Sequence, residues 1–207
     1  MNLNIVVLAG GLSPERNVSL TSGSLIASAL RRKGHKVLLL DVYLGIDIED
    51  KDNILSLFTS EAGEEFSVSE NVPDLEALKA EKGSEELIGR NVLEICSVAD
   101  TVFLALHGAM GENGQLQATL DNFGISYSGS GYIGSLLAMD KDISKRMLRA
   151  SGVLTPDWIY EKSDEITPEE IIEKIGLPTW SLPPCCRCGS RPSLPLCSCR
   201  CTTSTAS

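Results

Sequence analysis

The chain has 207 residues, 43% of them apolar and 22% charged, and a net charge of −10. This is the balance of a folded protein of one large domain, or of one domain with part of another, and excludes a disordered chain. The acidic surplus argues against nucleic acid or anionic membrane as main partner; no apolar run nears the roughly 20 residues of a membrane span, and MNLNIVVLAGG lacks a signal peptide's basic flank, so a cytoplasmic protein is expected.

Residues 3–11, LNIVVLAGG, form a short β-branched run closed by two glycines, which predicts a buried strand ending in a turn. A helix follows from Ser19, with Leu20, Ile26, Ala27 and Leu30 near one face, basic residues at its end and a stop at Gly34. HKVLLLDV then reads as a second buried strand. Strand, helix and strand in that order predict a right-handed parallel crossover, the start of an open α/β sheet. Residues 45–90 turn acidic and weakly patterned, and are expected to be a solvated surface connection carrying one or two helices. The sheet resumes at DTVFLALHG. A short helix is expected from near Gly114 to Phe123, then a strand-to-turn element at ISYSGSG, a helix capped by Asp140 and ending at Gly152, and a helix opening at Thr167 and Pro168.

Three glycine-bearing turns, AGGLSPERNVS, HGAMGENGQ and SGSGY, follow three of the expected strands. In an open parallel sheet such turns gather at the carboxyl edge, where ligands bind and free N–H groups meet small anions. Neither a dinucleotide fingerprint nor a P-loop is present, so the site suits a small polar molecule. Glu15, with Arg16 beside it, either holds a ligand's ammonium group or is a surface carboxylate in a loop. Ser19 either contacts ligand or caps its helix, capping being favoured on physical grounds. His107 closes its strand at the ligand edge, where an imidazole is structural, donates to a ligand carboxylate or orients Glu15. Glu112 and Gln117 are read as knitting the turn together rather than facing a ligand. His35, in a KGHK turn, is read as solvated. Lys141 either neutralises phosphate charge or is an ordinary surface lysine. Cys96, alone in its region, is expected to be a small buried hydrophobe.

Taken together, LAGGLSPERNVSLTSG, ALHGAMGENGQLQATLDNFGISYSGSG and LLAMDKDISKRMLRASGV resemble, in order, the signatures of the D-alanine:D-alanine ligases over residues 3–178. The resemblance implies a Rossmann-like pre-ATP-grasp domain over residues 1–152 and the truncated start of an ATP-grasp region over 153–178. It also implies an enzyme that phosphorylates one D-alanine with ATP and Mg2+, then lets the amine of a second attack the acyl phosphate, as a step of peptidoglycan precursor synthesis. By motif position, Glu15 would anchor the ammonium of the first D-alanine with Ser19 in support. His107 would lie near that substrate's carboxylate, and Lys141 would approach the ATP phosphates. Family members commonly pair as homodimers through this half. A D-alanine:D-lactate or D-serine relative, or a non-catalytic fragment that binds a D-amino acid or dimerises, are the alternatives.

Residues 179–207 break the resemblance. The family continues after GLP with a Val-rich strand, a Lys-Pro pair and a Gly-Ser-rich loop, whereas this chain reads TWSLPPCCRCGS. If Thr179, Trp180 and Ser181 are encoded ACG-TGG-TCN, the neighbouring frame reads Val-Val, so a frameshift near Thr179 is one expectation. The remainder is then a non-native, disordered tail, and the chain is inactive for want of its ATP-grasp half. A zinc or copper module on Cys185, Cys186, Cys188, Cys197, Cys199 and Cys201 is disfavoured by the spacing and by the absence of His, so no resident metal is expected.

Overall fold

A computed structural model describes residues 2–48, 51–61, 73–84, 86–162, 166–177, 179–182 and 195–200, with side chains except at 51, 52, 109, 162, 179–182 and 195–200. The described residues divide into two compact units, 1–135 and 136–207.

The first unit is built on three parallel strands, β1 (Asn4–Ala9), β2 (Lys36–Asp41) and β3 (Thr101–Leu104), in the order β2-β1-β3. Ile5 to Ala9 are all almost completely buried, and alternate residues serve opposite faces. Ile5, Val7 and Ala9 pack with Ala27 of helix α1 (Arg16–Arg32), while Val6 and Leu8 pack with Ile95 of α3 (Val92–Val98) and with Leu116 and Leu120 of α5 (Gln115–Asn122). A strand covered on both sides is apolar without interruption, which is why LNIVVLA carries no alternation. Helix α1 lies very close to the sheet. A Cβ on its Gly23 would stand 2.7 Å from the Cβ of Ala9.

The connection between β2 and β3 holds one 3-10 turn (Lys51–Leu57) and helix α2 (Leu75–Lys82), as expected, but it is more than surface. Ile54 and Phe58 are in the core, and Thr59 bridges to Val37 of the sheet. Helix α3 was not legible: its stretch VLEICSV has only seven residues, three of them β-branched, too few to show a helical period. Its Cys96 is 1% exposed, and burial pushes the thiol up to about 12, so it packs as an apolar group. The expected strand at ISYSGSG reduces to a single parallel bridge between Tyr127 and Val102. His35 is not simply solvated, since its Nδ1 accepts the Leu3 N–H at 3.2 Å.

Helix α6 (Tyr132–Met139) runs across the boundary between the units and has no buried residue. Being mostly apolar, it offers no periodicity to read. In the second unit, Asp140 caps α7 (Lys141–Ala150) by accepting from the N–H groups of Asp142 and Ile143. Helix α7 falls in the same compact unit as the strand β4 (Trp158–Lys162). Trp158 Nε1 donates to Asp142 Oδ1 at 2.9 Å, and the Arg149 guanidinium lies 4.5 Å over the indole. Strands β5 (Thr179–Leu182) and β6 (Pro195–Arg200) form an antiparallel sheet in the order β4-β6-β5, using the β-preferring Thr179 and Trp180 and the unpaired edge that β4 offers. The other residues of 179–207, with the side chains of the cysteine cluster, lie outside the described residues.

Helix α8 (Pro168–Ile175) begins with a full capping box, in which the Glu170 N–H donates to Thr167 Oγ1 and the Thr167 N–H to Glu170 Oε2. These bonds hold the Glu170 carboxyl below the usual carboxylate range. A lowered folded-state value means that the contribution is present above the ordinary Glu range, near pH 4.3, and fades as pH falls through the lowered value. Amide protection factors in the first turn of α8, taken against intrinsic exchange at each pH, are therefore expected to fall on acidification, and to lose that extra pH dependence in Glu170→Gln. Equal acid sensitivity in both proteins would contradict the assignment.

Candidate functional site

Helix α1 connects β1 to β2, whereas β3 is reached through α3 on the opposite face, so the strand order reverses between β1 and β3. In an open parallel sheet the crevice beyond the carboxyl ends of two such strands receives ligand. Two turns meet there, the Gly10–Gly11 turn after β1 and the turn at 107–108 after β3.

The first turn is locked by a buried ion pair that sequence reasoning missed. Arg16 Nη1 donates to the Gly11 carbonyl at 3.0 Å, and Nη2 pairs with Asp41 Oδ2 at 2.5 Å, the two side chains being 10% and 13% exposed. Asp41 Oδ1 in turn accepts the N–H groups of Tyr43 and Leu44. Gly10 has φ +74°, and a Cβ there would fall 2.1 Å from Asp41 Oδ2, so no other residue fits. The available signal was a buried strand ending in Asp; its partner stands 25 positions away and cannot be chosen from spacing.

Ser19 does not cap α1. The helix starts earlier, at Arg16, with Glu15 in the capping position and Ser13 Oγ accepting the Glu15 N–H. Ser19 is fully buried; its Oγ accepts the Gly10 N–H at 2.9 Å and donates to the Ala105 carbonyl at 2.8 Å. It therefore straps the turn after β1 to the end of β3, and would act on a ligand through the backbone that it holds.

Glu15 is exposed, and its carboxylate lies above the second turn: a Cβ on Gly108 would stand 3.2 Å from Glu15 Oε2 and 2.4 Å from Ser13 Oγ. His107, immediately before, has Nε2 3.5 Å from Ser22 Oγ and Nδ1 3.9 Å from Glu112 Oε1 of the short helix α4 (Ala109–Glu112). The sequence-expected Glu15 and His107 are thus brought to the two sides of one glycine, with Ser19 beneath. Gln117 has the structural role expected of it, its Nε2 donating to the Gly111 carbonyl at 2.7 Å. Lys141 is at the first position of α7 in the second unit, half-buried. A cleft of about 650 Å³ in that unit includes Asp142, Arg146, Arg149, Trp158 and Lys174, but Arg146 is already paired with Asp142 and Arg149 with Asp157. Chemically, the switch point offers a carboxylate for an ammonium group, an imidazole and open backbone, which suits a small amino acid.

Residues 4–130 match the family model described as D-ala D-ala ligase N-terminus. The chain belongs to the D-alanine–D-alanine ligase family. It is 44% identical over 172 residues to the D-alanine–D-alanine ligase of Pediococcus pentosaceus, covering 81% of this chain and 49% of the relative. To that of Lacticaseibacillus casei it is 41% identical over 166 residues, covering 79% and 46%. The crystal structure of the Bacillus anthracis ligase complexed with ATP matches with a TM-score of 0.55 at 27% identity, over 87% of this chain and 48% of that one. The chain thus spans about half the length of the ligases it matches. Its α/β fold with a parallel sheet is that of the family. No helix among the described residues is long and apolar enough to cross a membrane.

Proposed function

We propose that this chain supplies the first-substrate half of an ATP-dependent D-alanine:D-alanine ligase acting in peptidoglycan precursor synthesis. The observation that carries the reading is the Glu15 carboxylate held over Gly108, beside His107, at the switch point of the sheet. Glu15 takes the ammonium of the first D-alanine. His107 lies by its carboxylate, and Ser19 holds the two turns at fixed separation. Lys141 is the residue assigned to the ATP phosphates, where a cation offsets charge as phosphoryl transfer proceeds. Among the described residues no three His, Cys, Asp or Glu side chains converge on a point, so these residues do not by themselves compose a Mg2+ site. ATP, a homodimer and a cytoplasmic location belong to the same reading, as does the division into a substrate domain, the start of an ATP-grasp region and a non-native tail.

The 207 residues alone are proposed to be inactive. Phosphate release from ATP with D-alanine tests both statements. None is expected above a heat-killed control from this chain. Turnover is expected once residues after Pro178 are replaced by the corresponding C-terminal half of the Pediococcus pentosaceus ligase. Turnover by the chain alone would overturn the first statement, and a folded but inert chimera the second.

A further inference from the structure

We propose that Ser22 is a positioning residue that fixes the tautomer of His107, placing the imidazole proton on Nδ1; its consequence for ligand rests on the amino-acid reading of the switch point given above. Helix α1 turns Ser19 and Ser22, three residues apart, toward the exit of β3. Ser19 engages the Ala105 carbonyl, and Ser22 Oγ lies 3.5 Å from His107 Nε2. Thr21, the neighbour of Ser22, spends its hydroxyl on the helix's own Asn17 carbonyl; Ser22 reaches across to another element instead.

The other ring nitrogen decides the direction of this bond. Nδ1 faces Glu112 Oε1 at 3.9 Å, a carboxylate too distant for a direct hydrogen bond but near enough to favour a proton over a lone pair on Nδ1. Nε2 then carries the lone pair, and the Ser22 hydroxyl donates to it. Nδ1–H is left without a direct hydrogen-bond partner among the described residues. That is the donor an amino-acid carboxylate requires; the opposite tautomer would present a lone pair to it at the same place. Neither nitrogen has a backbone partner among these contacts, so without Ser22 the ring would be free to exchange its proton between the two nitrogens.

The chain carries only two histidines, and the second is an internal reference. His35 Nδ1 accepts the Leu3 N–H at 3.2 Å, so the neutral His35 ring carries its proton on Nε2. Long-range 1H-15N spectra of the labelled chain, above the pH of imidazole protonation, are expected to show the two histidines as opposite tautomers. Ser22→Ala is expected to shift the His107 tautomer ratio roughly tenfold toward Nε2–H, the effect of losing one neutral hydrogen bond. His35 should be unaffected and β1 amide exchange unchanged. Ser22→Thr, which keeps the hydroxyl, should restore the wild-type ratio. A His107 ring already protonated on Nε2 in the wild type, or a ratio indifferent to Ser22→Ala, would overturn the proposal. D-alanine is then titrated into both proteins. Weaker binding by Ser22→Ala supports the link to ligand, and equal binding breaks it. Absence of binding to the wild type counts against the amino-acid reading alone, because the tautomer result does not depend on it.

Discussion

Asp41→Asn is expected to destabilise the first unit by about 3 kcal/mol, because it leaves the Arg16 guanidinium buried without its counter-charge. The substituted side chain has nearly the same shape and can still accept from the Tyr43 and Leu44 N–H groups, so the loss isolates the ion pair. A chain of two units need not unfold in one step, so the measurement is native-state exchange of the Val6, Val7 and Leu8 amides, whose protection reports opening of this sheet. If the effect comes from the stranded charge, adding Arg16→Met should recover part of it, and the two losses should fall short of additivity. A change of less than about 1 kcal/mol would mean that water reaches the pair and that the turn is held by its other bonds.

Glu15→Gln is expected to weaken D-alanine binding by about 30-fold while leaving that same exchange protection unchanged. The figure follows from losing a hydrogen bond between charged groups, worth about 2 kcal/mol, because the Gln amide brings no counter-charge to the ammonium. Glu15 is exposed and its side chain makes no cap bond to α1, so the fold does not depend on its charge. Binding followed by chemical-shift titration separates the two roles. A mutant that binds as well as the wild type would return Glu15 to the status of a surface carboxylate.

These two residues also show how far the sequence could be read. Glu15 and His107 could be singled out as candidates because each stands at or in a turn that follows an apolar run, and the order of strands and helices brings such turns to one edge. Asp41 and Ser22 were not found. Asp41 also ends a strand, but what makes it matter is a contact with Arg16 at the start of a different element. Ser22 looks like any serine on a helix until the 85-residue separation from His107 is closed by β3 lying beside β1. Ser19 was assigned as a cap because serine at the start of an apolar period usually is one. The turn at Ser13 starts the helix earlier and carries Ser19 inside it. Elements with a clean period or a cap, such as β1, α5, α7 and α8, were legible. Those whose character comes from packing were not: α3 is only seven residues long, α6 is mostly apolar, and β4 is defined by its partners. The acidic connection hid two core residues, Ile54 and Phe58, because the charge around them dominates any window that includes them.

In the proposed function the crevice between β1 and β3 receives a D-amino acid on Glu15. Titrating D-alanine into the 15N-labelled chain, with L-alanine as control, tests it most directly. Saturable shifts are expected at the amides of Gly10, Gly11, Glu15 and Gly108, stronger for D-alanine than for L-alanine and lost in Glu15→Gln. Shifts that are absent, that do not distinguish the enantiomers, or that lie away from these turns would contradict it.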